Sequence, residues 1–267
     1  MRVASRMRPE TRRAITAPTY GPEVITDFSA GTNAAVVDAT TLNASTFGVS
    51  GSYWSVTSAA THLTYATGAK TPFGGTIPTQ SVNPWPGDTG TLGVNLYVPD
   101  NVVRFARFTV PGTVAAVITA GIWFKTDYLS TATPNLDIFL IQGAAENNYV
   151  NVPFQGNGAT LRLASEFASV VTGDITGTPV AISRDTWYWI TLRYSSGPGV
   201  SHAVRVYDST LTQVGNEQSA TPARAGAASY VSFGFAGAPG TNYDRNVMFS
   251  GLLMSYERDC RWPLLPL

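Results

Sequence analysis

From Thr91 onward the chain repeats one device: short runs of alternating apolar and polar residues, each closed by glycine, proline, serine or asparagine. A period of two marks a strand with one buried face, and its recurrence every eight to twelve residues or so points to an antiparallel all-β sandwich. Ten runs predict strands at 91–98, 102–110, 116–126, 136–143, 148–154, 159–166, 187–194, 202–208, 230–237 and 248–258. The stretches ATPN, GNG, SSGPG and GAPGTN supply the turn chemistry between them.

Composition bears on what this domain can meet. Charged residues make up 13% of the 267, roughly half the usual quarter, so the surface must rest on Ser, Thr, Asn, Gly and Ala. A net charge of zero gives no general pull toward nucleic acid or a membrane. Cys260, the sole cysteine, excludes an internal disulfide and a cysteine-built zinc site. No apolar run is long enough to span a bilayer, and no h-region follows the basic opening MRVASRMRPETRR.

Four stretches divide the chain. Residues 1–22 read as a basic extended arm, with Arg2, Arg6, Arg8, Arg12 and Arg13 interrupted by prolines. Residues 23–90 read as a loop-rich region packed on or beside the sandwich, with β-like pieces at 52–56 and 61–67 and a turn or two of helix around Asn33–Thr41. The sandwich itself occupies 91–262, and 263–267 form a docking tail.

One hairpin can be read by parity. In WYWITLRY (187–194), Tyr188, Ile190, Leu192 and Tyr194 share a face, and Trp187, Trp189, Thr191 and Arg193 share the other. Closing the hairpin at Gly197 sets Ile190 opposite Val204 and Trp189 opposite Arg205, with Tyr207 beside Trp187. The first face is then core. The second is an aromatic and guanidinium surface on which Arg205 stacks against Trp189, either open to ligand or covered by the N-terminal region.

With these residues in view, the chain resembles the concanavalin A-like lectin/glucanase superfamily, in particular its laminin-G-like branch. The likeness runs from about Thr91 to Trp262 and rests on DTWYWITLRY with AVRVYDSTLTQVG, on AGIWFKTD (120–127), on YVSFGFAG (230–237) and on MFSGLLMSYE (248–257). It implies a two-sheet antiparallel jelly roll, a fold shared by lectins, glycosidases, lyases, adhesion modules and virion proteins. Retaining glucanases of that fold carry paired carboxylates on one strand, needed about 5–5.5 Å apart. Here the glutamates stand singly, Asp137 and Glu166 each lie alone in a predicted core strand, and His62 and His202 lack a motif. The expectation is a chain without catalytic residues. No cofactor is expected beyond calcium at a sandwich rim, for which Asp88, Asp208 and Asp244 are the turn aspartates available.

Two functional readings follow. In the first, Trp187, Trp189, Arg193, Arg205 and Tyr207 bind a glycan, with Trp123 and Trp85 as weaker candidates. In the second, the arm arginines and the tail CRWPLLPL, through Trp262, Leu264, Leu265 and Leu267, dock on other protein subunits. Together they give a non-catalytic, lectin-like structural or decoration component of a large assembly such as a bacteriophage virion, holding glycans at its surface. The alternative is a free, extracellular carbohydrate-binding module or adhesin.

Overall fold

Two nine-stranded sheets carry the chain, and every strand pair among the described residues is antiparallel. The computed structural model describes residues 24–28, 30–57, 63–66, 93–97, 104–111, 117–126, 135–143, 148–157, 160–163, 166–169, 174–175, 178–196, 201–221, 227–235, 246–256 and 262–266. Its elements are β1 (Val24–Thr26), α1 (Ala39–Ala44), β2 (Thr46–Phe47), β3 (Trp54–Thr57), β4 (Leu63–Ala66), β5 (Gly93–Tyr97), β6 (Arg104–Thr109) and β7 (Val117–Thr126). Then come β8 (Asn135–Gly143), β9 (Asn148–Asn157), β10 (Thr160–Leu163), β11 (Glu166–Ser169), β12 (Asp174–Ile175) and β13 (Val180–Ile182). The last five are β14 (Tyr188–Ser195), β15 (His202–Tyr207), β16 (Gln213–Ala220), β17 (Ala228–Phe235) and β18 (Asn246–Ser255).

The first sheet runs β16-β15-β14-β7-β18-β1-β2, with β5 also on β18 and β4 on β5. The second runs β12-β11-β9-β8-β17-β6-β3, with β10 joining β9 to β13. Nine of the ten expected runs each hold one strand with ends moved by a few residues, and the tenth, 159–166, is divided between β10 and the start of β11. The unexpected one of most consequence is β16, whose QVGNEQSA has too little apolar character to announce itself.

Parity builds the core. Ile190, Leu192 and Tyr194 of β14, and Val204 and Val206 of β15, point between the sheets against Phe139, Ile141, Val150, Val231 and Phe233. The region expected on or beside the sandwich instead supplies strands to both sheets, β1, β2 and β4 to one and β3 to the other. Its aromatics enter the same core: Phe28 lies 5.6 Å and Trp54 5.7 Å from the Phe233 ring. The helix lies a few residues later than expected because Asp38 caps it, its Oδ1 accepting from the Thr41 N–H at 2.8 Å.

Candidate functional site

The hairpin β14–β15 keeps the expected faces but pairs two residues further along: Ile190 faces Val206, Trp189 faces Tyr207 and Thr191 faces Arg205. A slip of two preserves parity, so every side chain stays on its face while its neighbours change. Arg205 is therefore not across from Trp189 and does not stack on it.

Among the described residues, the segment that covers this outer face is the C-terminal tail. Leu264, 2% exposed, packs with Ile25, Trp123, Trp189, Tyr207 and Leu253 in a second apolar cluster outside the first sheet. The Trp189 indole N–H donates to the Leu264 carbonyl at 2.8 Å, and the Trp123 and Trp189 rings meet edge-on at 5.3 Å. Gly121 makes room for this packing, because a Cβ there would collide with Trp189 Cζ2. Trp189 is 0% and Tyr207 5% exposed, so neither offers a ring for stacking, and the expected platform is corrected to a small core. Trp123 is likewise buried. Trp187 stays half-buried, with Lys125 Nζ 5.2 Å from its ring centre.

The tail is fastened electrostatically as well. Arg193 and Arg205 place their guanidinium carbons 4.8 and 5.4 Å from the Trp262 ring centre. Glu217 Oε2 accepts from Arg205 Nε at 2.6 Å and from the Trp262 indole N–H at 3.3 Å. Burial pulls the Arg205 pKa down, but hydrogen bonds to Tyr207 and Glu217 outweigh it and leave it raised. Arg193, which donates to Ser201 O and Oγ at 2.9 and 2.8 Å, is lowered chiefly by burial. Trp262, Leu264 and half-buried Leu265 thus dock on their own sheet, a correction to their expected seat on a partner. The arm arginines, Trp85, Asp88, Asp244 and Leu267 lie outside the described residues. Asp208 is accounted for locally, its Oδ1 accepting from Thr210 N, Thr210 Oγ1 and Thr212 N within one turn.

The second sheet presents a different outer face. Alternation in β6 sends Ala106 and Phe108 inward and leaves Phe105 and Arg107 half-exposed on the outside. Arg107 is held between two rings, its guanidinium carbon 4.6 Å from the Phe105 centre and 4.7 Å from that of Tyr230. Next along the sheet come Ser232, opposite Arg107, then Leu140 and Asn151 in register, with Gln142 and Tyr149 in the adjoining row beside Tyr230. Ser232 and Asn151 are 1% and 2% exposed, whereas Gln142, Tyr149 and Tyr230 are half-exposed. Arg107 Nε and Ser232 Oγ are buried without a hydrogen bond. The face is therefore a polar floor flanked by aromatic rings and one pre-positioned cation. The same alternation that sorts WYWITLRY into two faces is written in RFARFT and SYVSFGF, and it sets these residues on one face.

No protein-family model matches the chain, and no curated protein matches it either. Solved structures do share its architecture. A cellulose-induced protein is similar at a TM-score of 0.50 and 11% identity, over 89% of this chain and 99% of that one. An alginate lyase gives 0.48 and 11% over 63% and 81%. A carbohydrate esterase from a Shiga toxin-encoding bacteriophage gives 0.46 and 13% over 77% and 91%. Identities this low speak to the fold alone, a two-sheet sandwich of a kind found in carbohydrate-related proteins. The expectation of a chain without catalysis is corrected, because proteins named as a lyase and an esterase are among these neighbours. By its own chemistry, the lack of paired carboxylates on one strand bears only on a retaining glucanase.

Proposed function

We propose that this chain is a concanavalin A-like sandwich that recognises glycan on the outer face of its second sheet, as a component of a larger assembly such as a bacteriophage virion. The observation that carries the glycan half is the Arg107 guanidinium held between Phe105 and Tyr230, beside half-exposed Gln142 and Tyr149. Sugar recognition needs aromatic surface plus a few fixed polar groups, and a cation already stacked loses little freedom when it binds. A planar guanidinium matches a carboxylate, so the reading favours acid-bearing sugars over neutral ones. The assembly half is supported by composition, through the charge-poor surface and the arginine-rich start of the chain.

The test is a titration with polyuronate and neutral polysaccharides, following heat of binding and, in parallel, any change in polymer length. Binding of the acidic polymer that Arg107→Ala weakens at least about tenfold, or ~1.4 kcal/mol, is the expected result. Equal affinity for acidic and neutral polymers, unaffected by that substitution, would sink the reading. For the assembly half, removing residues 1–22 is expected to release the protein from particles with the sandwich still folded.

A further inference from the structure

Four residues on the outer face of the second sheet stand in one line across its strands. Thr109 of β6 pairs with Tyr230 of β17, Tyr230 with Gln142 of β8, and Gln142 with Tyr149 of β9. Their chain neighbours Phe108, Val231, Ile141 and Val150 lie in the core, so all four side chains point outward. Thr109 is exposed and the other three are half-exposed. The line therefore stays open to solvent over four adjoining strands.

The row beside it is closed. One outward position along β17, β8 and β9 come Ser232, Leu140 and Asn151, which are 1%, 7% and 2% exposed. A linear ligand laid along any of these strands would pass from a reachable side chain to a buried one. A ligand crossing the strands meets a reachable side chain at every step. Spacing favours the same direction. Adjacent strands lie about 4.8 Å apart, so Tyr230 and Tyr149 stand on backbones about 10 Å apart. A 1→4-linked pyranose advances its polymer by roughly one strand spacing, so alternate units of a single chain fall over the two tyrosines. The unit between them meets Gln142, whose amide can both donate to and accept from sugar hydroxyls. Arg107 lies at the Tyr230 end, its guanidinium carbon 4.7 Å from that ring centre, and so faces the edge of the unit stacked there.

We propose that this face takes an internal stretch of a linear, acid-bearing polysaccharide, about three to four units laid across the strands from Thr109 to Tyr149, with one carboxylate on Arg107. The inference rests on the reading of Arg107 as a receptor for acid-bearing sugars and adds to it a length and a direction. The test titrates the full chain with 1→4-linked oligouronates of increasing length, monomer to hexamer, by calorimetry and by NMR of the Gln142 side-chain amide. Affinity is expected to rise at least about tenfold, ~1.4 kcal/mol, from dimer to tetramer and to level off beyond it. The Gln142 resonance should shift saturably with the trimer. Tyr149→Ala should bring the tetramer down to the affinity of the dimer and leave the dimer unchanged, whereas Tyr149→Phe, which keeps the ring, should retain the gain. Should Tyr149→Ala fail to fold, the length series on the unaltered chain still decides. With binding weakened by Arg107→Ala, a dimer as tight as the hexamer, or a tetramer indifferent to Tyr149→Ala, overturns the crossing geometry and spares the Arg107 reading. Binding that Arg107→Ala leaves unweakened, or no binding of any oligomer, overturns that reading and this inference with it.

Discussion

The outer faces of the two sheets start from similar materials and end in opposite states. Each sets aromatic rings beside arginine on alternate residues of central strands. On the first sheet, Trp123, Trp189 and Tyr207 are roofed by Leu264, and the arginines Arg193 and Arg205 are spent holding Trp262. On the second, Phe105 and Tyr230 remain half-exposed and the cation between them carries a buried Nε without a hydrogen bond. Aromatic–arginine composition therefore does not mark a binding surface; what decides is whether the chain's own tail reaches it. The tail selects the first sheet because an indole N–H there needs an acceptor and an apolar patch there needs cover.

The sharpest way to break this comparison is Trp189→Ala. If the first face is core, the substitution should cost about 3–5 kcal/mol in a denaturant titration, the usual range for removing a buried tryptophan. Glycan binding by the remaining folded protein should be unaltered. Near-native stability with lost binding would mean that the tail leaves the face open in solution.

How much of this was legible in the sequence follows from the physics of each step. Period-two alternation located nine strands and sorted the β14 side chains correctly, because burial is imposed residue by residue, but it ran β10 and the start of β11 together as 159–166. Pairing was not so local. The hairpin register slipped by two because both registers satisfy the same parity, and the loop alone could not choose between them. The cover over Trp189 was unreadable for a different reason: Leu264 lies 75 residues away, and no pattern ties the two together. Strand β16 was missed because its burial falls mainly on Gln218 rather than on apolar residues. The Arg107 face was readable, since RFARFT and SYVSFGF alternate as plainly as WYWITLRY does.

A pH titration probes the packed side next. His202 is 1% exposed, stacks on Tyr194 with centroids 4.8 Å apart, and its Nδ1 accepts from the Ser195 N–H at 3.1 Å. Burial first, with the Arg193 charge second, pushes its pKa from 6.5 down to about 4. The neutral ring is what the fold holds. Its contribution is therefore present above pH 6.5 and is lost as pH falls through about 4, reaching about 3 kcal/mol. His202→Gln should flatten stability across that window; an unchanged acid limb would show that the ring is not held neutral. Smaller again is Trp262→Ala, which removes two guanidinium–ring contacts and a hydrogen bond to Glu217. A loss of about 1–2 kcal/mol is expected on thermal melting. A loss below about 0.3 kcal/mol would mean the tail is fastened by Leu264 alone.

The smallest expected change in stability falls on the half-exposed Arg107 cluster of the second sheet. Arg107→Ala forfeits two ring contacts, each worth about 0.5–1 kcal/mol when exposed, but it also removes a buried donor without a hydrogen bond, a gain of similar size. The two terms nearly cancel, so denaturant midpoints of the parent and the variant should coincide within about 0.5 kcal/mol. That near-identity separates the faces: a stacked arginine working for the fold, as at Trp262, costs stability when removed, whereas one kept ready for a ligand does not. Should Arg107→Ala destabilise the chain by about 2 kcal/mol or more, the guanidinium is a structural clamp, and the two outer faces differ only in how much of each clamp can be seen from outside.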